Sequence, residues 1–248
     1  MKPDRECETT WLYLVRHGAT EANERVPYIL QGNSIDLALS PRGERQAQEL
    51  AGFLRRFPIA RVYTSALRRA RQTAEAIGKS LALAPLVADD LYECNVGVWE
   101  GLDWGAISQR YPAEHRRFVD NPADNPYLGG ESYGHVLRRS RPVIDRLIAQ
   151  HSGESIVVVG HNVVNRVLLA DMLGLPLRLA PGIPQGNGCV NLVKAAGASP
   201  LATPSPTAPA PLPGGEGGRT CRFALVTLNA LFHLGDPPGG APVGPPPC

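Results

Sequence analysis

The chain has 248 residues, 43% of them hydrophobic, with a formal net charge of +2 at neutral pH. That supplies the core of one α/β domain with insertions, and the near-neutral balance excludes the electrostatic footprint of a nucleic-acid-binding protein. The five scattered cysteines, Cys7, Cys94, Cys189, Cys221 and Cys248, exclude a disulfide framework or zinc knuckle; none has an arginine six positions later, which removes thiolate phosphate-loop chemistry.

The start, MKPDRECETTW, mixes charges of both signs where a secretory leader needs a basic start and a long apolar stretch. No window reaches the length of a membrane span, so a cytoplasmic protein without membrane association is expected. WLYLV (11–15) reads as a buried strand ending at Arg16-His17-Gly18. Ser40-Pro41 offers a cap and a first helical residue, after which Ala47, Leu50, Ala51 and Leu54 recur at helical spacing. ARVYTS (60–65) is a second short strand and 66–81 the helix that follows it. Residues 131–151 read as a long helix with Pro142 inside, SIVVVG (155–160) as a third strand and 163–173 as its helix. This alternation predicts an α/β fold, a three-layer α/β/α sandwich around a mainly parallel sheet.

Two runs, 188–195 and 222–234, look like neighbouring strands. Between them, 198–218 is so rich in proline, glycine and small residues that it is expected to be a disordered insertion, with flexible tails at 1–10 and 235–248. A single domain over 11–234 results.

The chemistry gathers at strand ends. A nucleophile attacking a phosphate ester needs partners that neutralise the phosphoryl oxygens, and the planar fork of arginine holds two at once. In LVRHGATEAN (14–23), Arg16, His17, Thr20 and Asn23 stand together after a strand, where backbone N–H groups also point outward. His161 follows SIVVVG as His17 follows WLYLV, so two parallel strands deliver both imidazoles to one edge of the sheet. The second strand leads into Arg69, and LYECNVGVWEG (91–101) places Glu93 beside aromatic and glycine residues, a setting for a proton donor. Two histidines, two arginines and a carboxylic acid suffice for phosphoryl transfer without a metal, and His115, His135, His151 and His233 show no ligand spacing.

LVRHGATEAN, YTSALRRARQTAE (63–75), LYECNVGVWEG, GGES (129–132) and VVVGHNVVNR (157–166), in that order, resemble the histidine phosphatase superfamily, the phosphoglycerate mutase-like group. The resemblance implies that His17 becomes phosphohistidine, that Arg16 and His161 hold the transferred group, and that Arg69, with Ala70 and Thr73, is the second phosphate arginine. It makes Arg68 and Arg71 ordinary helix charges. Glu93 matches the family's proton donor and Asn23 the polar residue closing over the phosphate. Thr20, Gln31, Gly32 and Asn162 complete the implied phosphate- and substrate-binding set. Asn162 stands where the acid phosphatase branch carries an aspartate, which strengthens the assignment of the acid to Glu93.

The implied activity is hydrolysis of a small phosphomonoester, with no cofactor and no metal; a homodimer stays open. Family mutases carry a glutamate-arginine-histidine-tyrosine-glycine run where this chain has Glu93-Cys94-Asn95-Val96-Gly97, which favours phosphatase over 2,3-bisphosphoglycerate-dependent mutase. A non-catalytic phosphate-binding or interaction module is the alternative of another class, and the retention of every site residue argues against it. Arg116 and Arg117, in a segment (102–130) expected to form a lid, either meet an acidic substrate group or are exposed helix charges. Arg138, Arg139 and Arg141 read as a solvated helix face, Trp99 as packing beneath the Glu93 loop and Ser132 as the cap of the long helix. Asp36-Leu37, like Gln31-Gly32, matches family positions before the first helix, and a loop contact or turn explains either pair as well as substrate binding does. Whether Asn165 and Arg166 face the site is not legible from spacing.

Overall fold

The strand WLYLV extends in both directions in a computed structural model, which describes residues 9–196 and 222–231. β1 runs Thr9–Arg16, and the other strands are β2 (Ile59–Thr64), β3 (Leu86–Val87), β4 (Ser155–Gly160), β5 (Val190–Ala196) and β6 (Arg222–Ala230). They form one sheet in the order β3-β2-β4-β1-β5-β6. The first four strands of that order are mutually parallel; β5 runs antiparallel to β1, and β6 antiparallel to β5. The sheet is therefore mixed, with a parallel half that carries the centre of the fold. The expected insertion (198–218), the tails outside 9–231, residues 232–234 of the last expected strand and His233 fall outside the described residues.

Every residue of β4 is buried, as a strand covered on both faces requires. Alternate side chains go to opposite layers. Leu12, Leu14, Ile156 and Val158 pack with the long helix α6 (Tyr133–Gln150) and α7 (Asn162–Met172) on one face. Tyr13, Val15, Val157 and Val159 pack with α2 (Pro41–Leu54) and α3 (Arg68–Leu81) on the other. Each fully buried aliphatic side chain contributes about 1.5–3 kcal/mol, so this two-sided apolar pattern is what selects the α/β/α layering.

Local chemistry sets the helix starts. Ser40 accepts a hydrogen bond from Gly43 N–H at the start of α2, with Pro41 at its first position. Ser132 caps α6 by accepting from His135 N–H, and α6 continues through Pro142. Sequence periodicity did not resolve α1 (Glu21–Glu24), β3, or the two helices α4 (Trp104–Arg110) and α5 (Pro112–Asp120) of the segment 102–130. All are short, and β3 is exposed at both residues.

The loop leaving β1 lies directly on the first turn of α2. A Cβ on Gly43 would collide with the Ala19 carbonyl, and one on Gly18 with the Gly43 carbonyl, whereas a Cβ on Gly52 of the same helix meets nothing within 4 Å. Gly43→Ala is expected to destabilise the fold by about 1–3 kcal/mol through backbone displacement. Gly52→Ala should be neutral or stabilising by up to about 1 kcal/mol from helix propensity. Urea denaturation midpoints check both; equal effects at the two sites would contradict the contact.

Candidate active site

Parallel pairing places Arg16 opposite Gly160, so the next residues, His17 and His161, emerge side by side with ring centroids 5.2 Å apart. The His17 N–H donates to Gly160 O at 3.2 Å, extending the ladder into the turn. β2 pairs Thr64 with Val159, which brings Ser65 to His161, and the Ser65 hydroxyl lies 2.8 Å from His161 Nε2. Nδ1 of His17 is 2.7 Å from the Gly18 carbonyl, and a carbonyl only accepts. Nδ1 therefore carries the proton, and Nε2 keeps its lone pair.

Both imidazoles are almost fully buried, His17 at 3% exposure and His161 at 0%. Burial, then the positive charges of Arg69 and Arg16, holds His17 well below the ordinary histidine value; burial, Arg69, His17 and Arg16 do the same to His161. Two neutral imidazoles thus stand beside two cations.

Arg16 comes from the end of β1, and one of its terminal N–H groups donates to the Gln185 carbonyl. Gln185 is itself buried within a cluster of amides, bonded to Asn165 and Asn191. Burial lowers Arg16 to about 10, which leaves it charged at neutral pH. Arg69 comes from the first turn of α3 and donates to Ile35 O at 3.1 Å and Gly32 O at 2.8 Å. Its position in the motif now has a cause, because Thr73 Oγ1 accepts from Gly18 N–H at 3.1 Å and donates to Arg69 O at 2.8 Å, tying α3 to the nucleophile loop. The Nε atoms of both arginines, Gln31 Oε1, Asn162 Oδ1 and His161 Nδ1 are buried without a hydrogen-bond partner among the described residues. Buried polar groups are normally paired, so their concentration here marks a place built for a polar ligand.

Glu93 is 8% exposed and sits at the N-terminal end of α7, accepting from Val163 N–H at 3.2 Å and Cys94 N–H at 2.9 Å. Its loop is clamped from behind. Arg139 donates to both oxygens of Glu131 (2.8 and 3.0 Å) and to the carbonyls of Asp90, Tyr92 and Glu93. Its guanidinium covers the Tyr92 ring at 3.9 Å, and Glu131 in turn accepts from Asn95 N–H at 2.8 Å. This corrects the solvated-face reading of the arginine cluster on α6. Arg139 is a half-buried clamp, and Arg141 pairs with Asp145 and Asp171; Arg138 alone of the three is exposed.

A cavity of about 180 Å³ joins Arg16, His17, Asn23, Gln31, Gly32, Arg69, Glu93 and Asn162. Its remaining wall is mainly apolar and aromatic, including Tyr28, Trp104, Phe118 and Tyr133. Asn23 turns its Oδ1 away, toward Thr20 and Asn187. Thr20 and His161 lie behind the lining, Thr20 as the capping residue of α1. Asp36 accepts from Arg68 N–H at 2.7 Å, a turn contact rather than part of the cavity wall. Trp99 is fully buried, edge-on to Phe118 and Tyr127. Arg116 and Arg117 are exposed and line nothing. In their stead the cavity gains two cations that sequence spacing did not reveal, Arg166 of α7 and Arg178 of the turn that follows. The signal for Arg166 was a lone arginine inside an apolar helix.

The strand-end histidine pair, buried guanidiniums and adjacent carboxyl thus meet around one cavity whose charges suit an anionic ligand. The family model of the histidine phosphatase superfamily (branch 1) matches residues 12–202, and the chain belongs to that superfamily. It is 42% identical over 161 residues to a Mycobacterium tuberculosis protein named bifunctional protein Rv2228c; that match takes in 64% of this chain and 43% of the relative, less than half its length. It is 34% identical over 166 residues to phosphoserine phosphatase 1 of Hydrogenobacter thermophilus, covering 67% of this chain and 77% of that one. Among solved structures, mycobacterial glucosyl-3-phosphoglycerate phosphatase Rv2419c superposes with a TM-score of 0.73 at 26% identity, over 90% of this chain and 99% of the other.

Two outcomes follow from this geometry. Because His17 and His161 are depressed in the folded protein, the unfolded chain binds more protons below about pH 6.5, and stability falls as pH drops from there toward the folded values. The limiting loss is about 1.4 kcal/mol per pH unit for each histidine. Urea unfolding between pH 7.5 and 5.5 should show a shallower decline for His17→Asn than for the native chain; parallel declines would refute the buried neutral state. Separately, Arg139→Met frees the Glu93 loop and should lower kcat on a phosphomonoester at least tenfold with little change in KM; a change confined to KM would show that Arg139 does not act through Glu93.

Proposed function

We propose that this protein is a phosphomonoesterase acting on a small phosphorylated metabolite through a phosphohistidine at His17, without a metal ion. The observation that carries the reading is the tautomer of His17. A buried, neutral ring with its Nδ1 proton committed to Gly18 O presents the Nε2 lone pair in a cavity walled by Arg16 and Arg69. In the first step Nε2 forms a bond to phosphorus, the ester P–O bond breaks, and Glu93 delivers a proton to the departing alcohol oxygen. In the second, the Glu93 carboxylate takes a proton from water as the water oxygen attacks phosphorus and the P–N bond breaks, releasing inorganic phosphate and neutral His17. Arg16 and Arg69 neutralise the phosphoryl oxygens throughout, and His161 supports His17 from beside it, its ring 5.2 Å away. Asn23, Gln31, Gly32 and Asn162 complete the binding set, with Thr20 holding Asn23 in place.

Relatives named as phosphatases support this reading. A mutase reading has one relative in its favour, a protein of Erwinia tasmaniensis named probable phosphoglycerate mutase, 32% identical over 165 residues. The Cys94-Asn95-Val96-Gly97 run beside the acid weighs against it.

Phosphate release from an aryl phosphate is expected to persist in EDTA, to vanish in His17→Ala and to drop by about 10²–10⁴-fold in Glu93→Gln with a poor leaving group. Turnover that survives His17→Ala, or that EDTA abolishes and added metal restores, would overturn the proposal. Absence of release together with interconversion of 2- and 3-phosphoglycerate in the presence of 2,3-bisphosphoglycerate would establish the mutase instead.

A further inference from the structure

Arg16 is anchored on a backbone amide. Its Nη1 donates to the Gln185 carbonyl, which leaves the edge formed by Nε–H and Nη2 for a ligand, and Nε is buried without a partner among the described residues. Where that edge points depends on where the peptide between Gln185 and Gly186 stands. This peptide belongs to the loop ahead of β5 and not to the sheet.

The same peptide is held at its other end by Asn229 of β6. Its C=O accepts from Arg16, and its N–H, that of Gly186, donates to Asn229 Oδ1 at 2.6 Å. Hydrogen bonds at both ends of one peptide polarise it and strengthen each other. A second tie runs through Asn191. The Asn229 N–H donates to Asn191 Oδ1 at 2.9 Å, and the Asn191 amide bonds the Gln185 side chain at 2.9 and 3.0 Å, with both of these residues fully buried. The backbone of β6 is shaped for this reach. Asn229 has a φ of 49°, in the left-handed region that asparagine tolerates better than most residues. Between the pairs Val190–Ala230 and Leu192–Thr227, β6 holds one residue more than β5, and such bulges re-aim side chains beside functional sites. A bond that only secured the hairpin would go to β5; the Asn229 amide passes β5 and meets the loop whose carbonyl receives Arg16. The matched family region ends at residue 202, before β6 begins.

We infer that Asn229 is a positioning residue of the anion site: by holding the peptide between Gln185 and Gly186 it fixes the carbonyl on which the Arg16 guanidinium is anchored. The inference rests on the hydrolase reading, in which Arg16 meets the phosphate. It makes the edge strand β6, two strands away from β1, part of the support of that arginine.

The test uses the full chain with inorganic phosphate as the probe, and binding is read by calorimetry so that turnover is not needed. Asn229→Gly keeps the left-handed backbone and deletes the amide; it should weaken phosphate binding about fivefold and speed hydrogen exchange at the Gly186 amide. Asn229→Asp keeps an acceptor for Gly186 N–H and tolerates the same backbone, and it should recover most of that loss. In an Arg16→Lys background, where the guanidinium fork is gone, Asn229→Gly should change the affinity less than about twofold, because the two residues no longer act on each other. Urea midpoints are measured for every variant. A lowered midpoint in Asn229→Gly with unchanged phosphate affinity would make Asn229 a stabiliser of the hairpin only and overturn the inference. An equal loss in Asn229→Asp, or an undiminished loss beside Arg16→Lys, would overturn it too. A native chain that does not bind phosphate would overturn the anion site and the inference together. Phosphate binding without hydrolysis of any ester would sink the hydrolase reading alone, with the affinity ratios still deciding the role of Asn229.

Discussion

The register between β1 and β4 governs the site. Because the strands are parallel and adjacent, with Arg16 opposite Gly160, the first residues beyond the ladder are His17 and His161, and no loop conformation has to be chosen to bring them together. A shift of one residue would send every side chain of a strand to the opposite face. Leu12 and Leu14 would then turn to the layer of α2 and α3, and Tyr13 and Val15 to that of α6 and α7. The two-sided core therefore enforces the register that brings the histidines together, and the stability of the sheet and the placement of His17 are one constraint.

A second consequence of that placement is electrostatic. Cations crowded around a buried imidazole destabilise its protonated form, and the same cations favour an anionic ligand beside it. One set of charges thus yields both a neutral imidazole and a setting for an anion, the two features that the proposed reaction needs. The cost falls on polar groups left without partners, among them the Nε atoms of Arg16 and Arg69 and atoms of Gln31, Asn162 and His161. Behind them Gln185 bonds to the side-chain amides of both Asn165 and Asn191, a buried polar layer that carries the Arg16 contact.

Much of this was written locally. β1, β4 and the starts of α2 and α6 announce themselves through apolar runs, the Ser40-Pro41 pair and Ser132, and the strand-end histidines follow from the first two. Arg69 was singled out from Arg68 and Arg71 by resemblance, and its reason lies in a tertiary bond, Thr73 to Gly18, that no local pattern contains. Arg139 was misread because it lies on a helix among other arginines, and its burial depends on Glu131 and on carbonyls about 46 to 49 residues away. Arg166 was ambiguous because α7 is buried on nearly every side, so periodicity cannot say which face meets the cavity. Arg178 sits on a turn after a helix, where spacing carries no directional information at all.

The segment between Glu100 and Glu131 is pinned at both ends. Leu30 exchanges backbone hydrogen bonds with Gly101 and Leu102, and Glu131 N–H donates to Asn95 O at 2.8 Å. The residues in between supply Trp104, Phe118, Val119, Pro122 and Tyr127 to the cavity wall, while the nucleophile, the guanidiniums and the acid all lie outside it. The segment is in effect a replaceable cassette. Its length and side chains can diverge between the two pins, reshaping the cavity wall, while His17, the guanidiniums and Glu93 keep their positions; under the proposed hydrolysis one frame could thereby serve a succession of different esters.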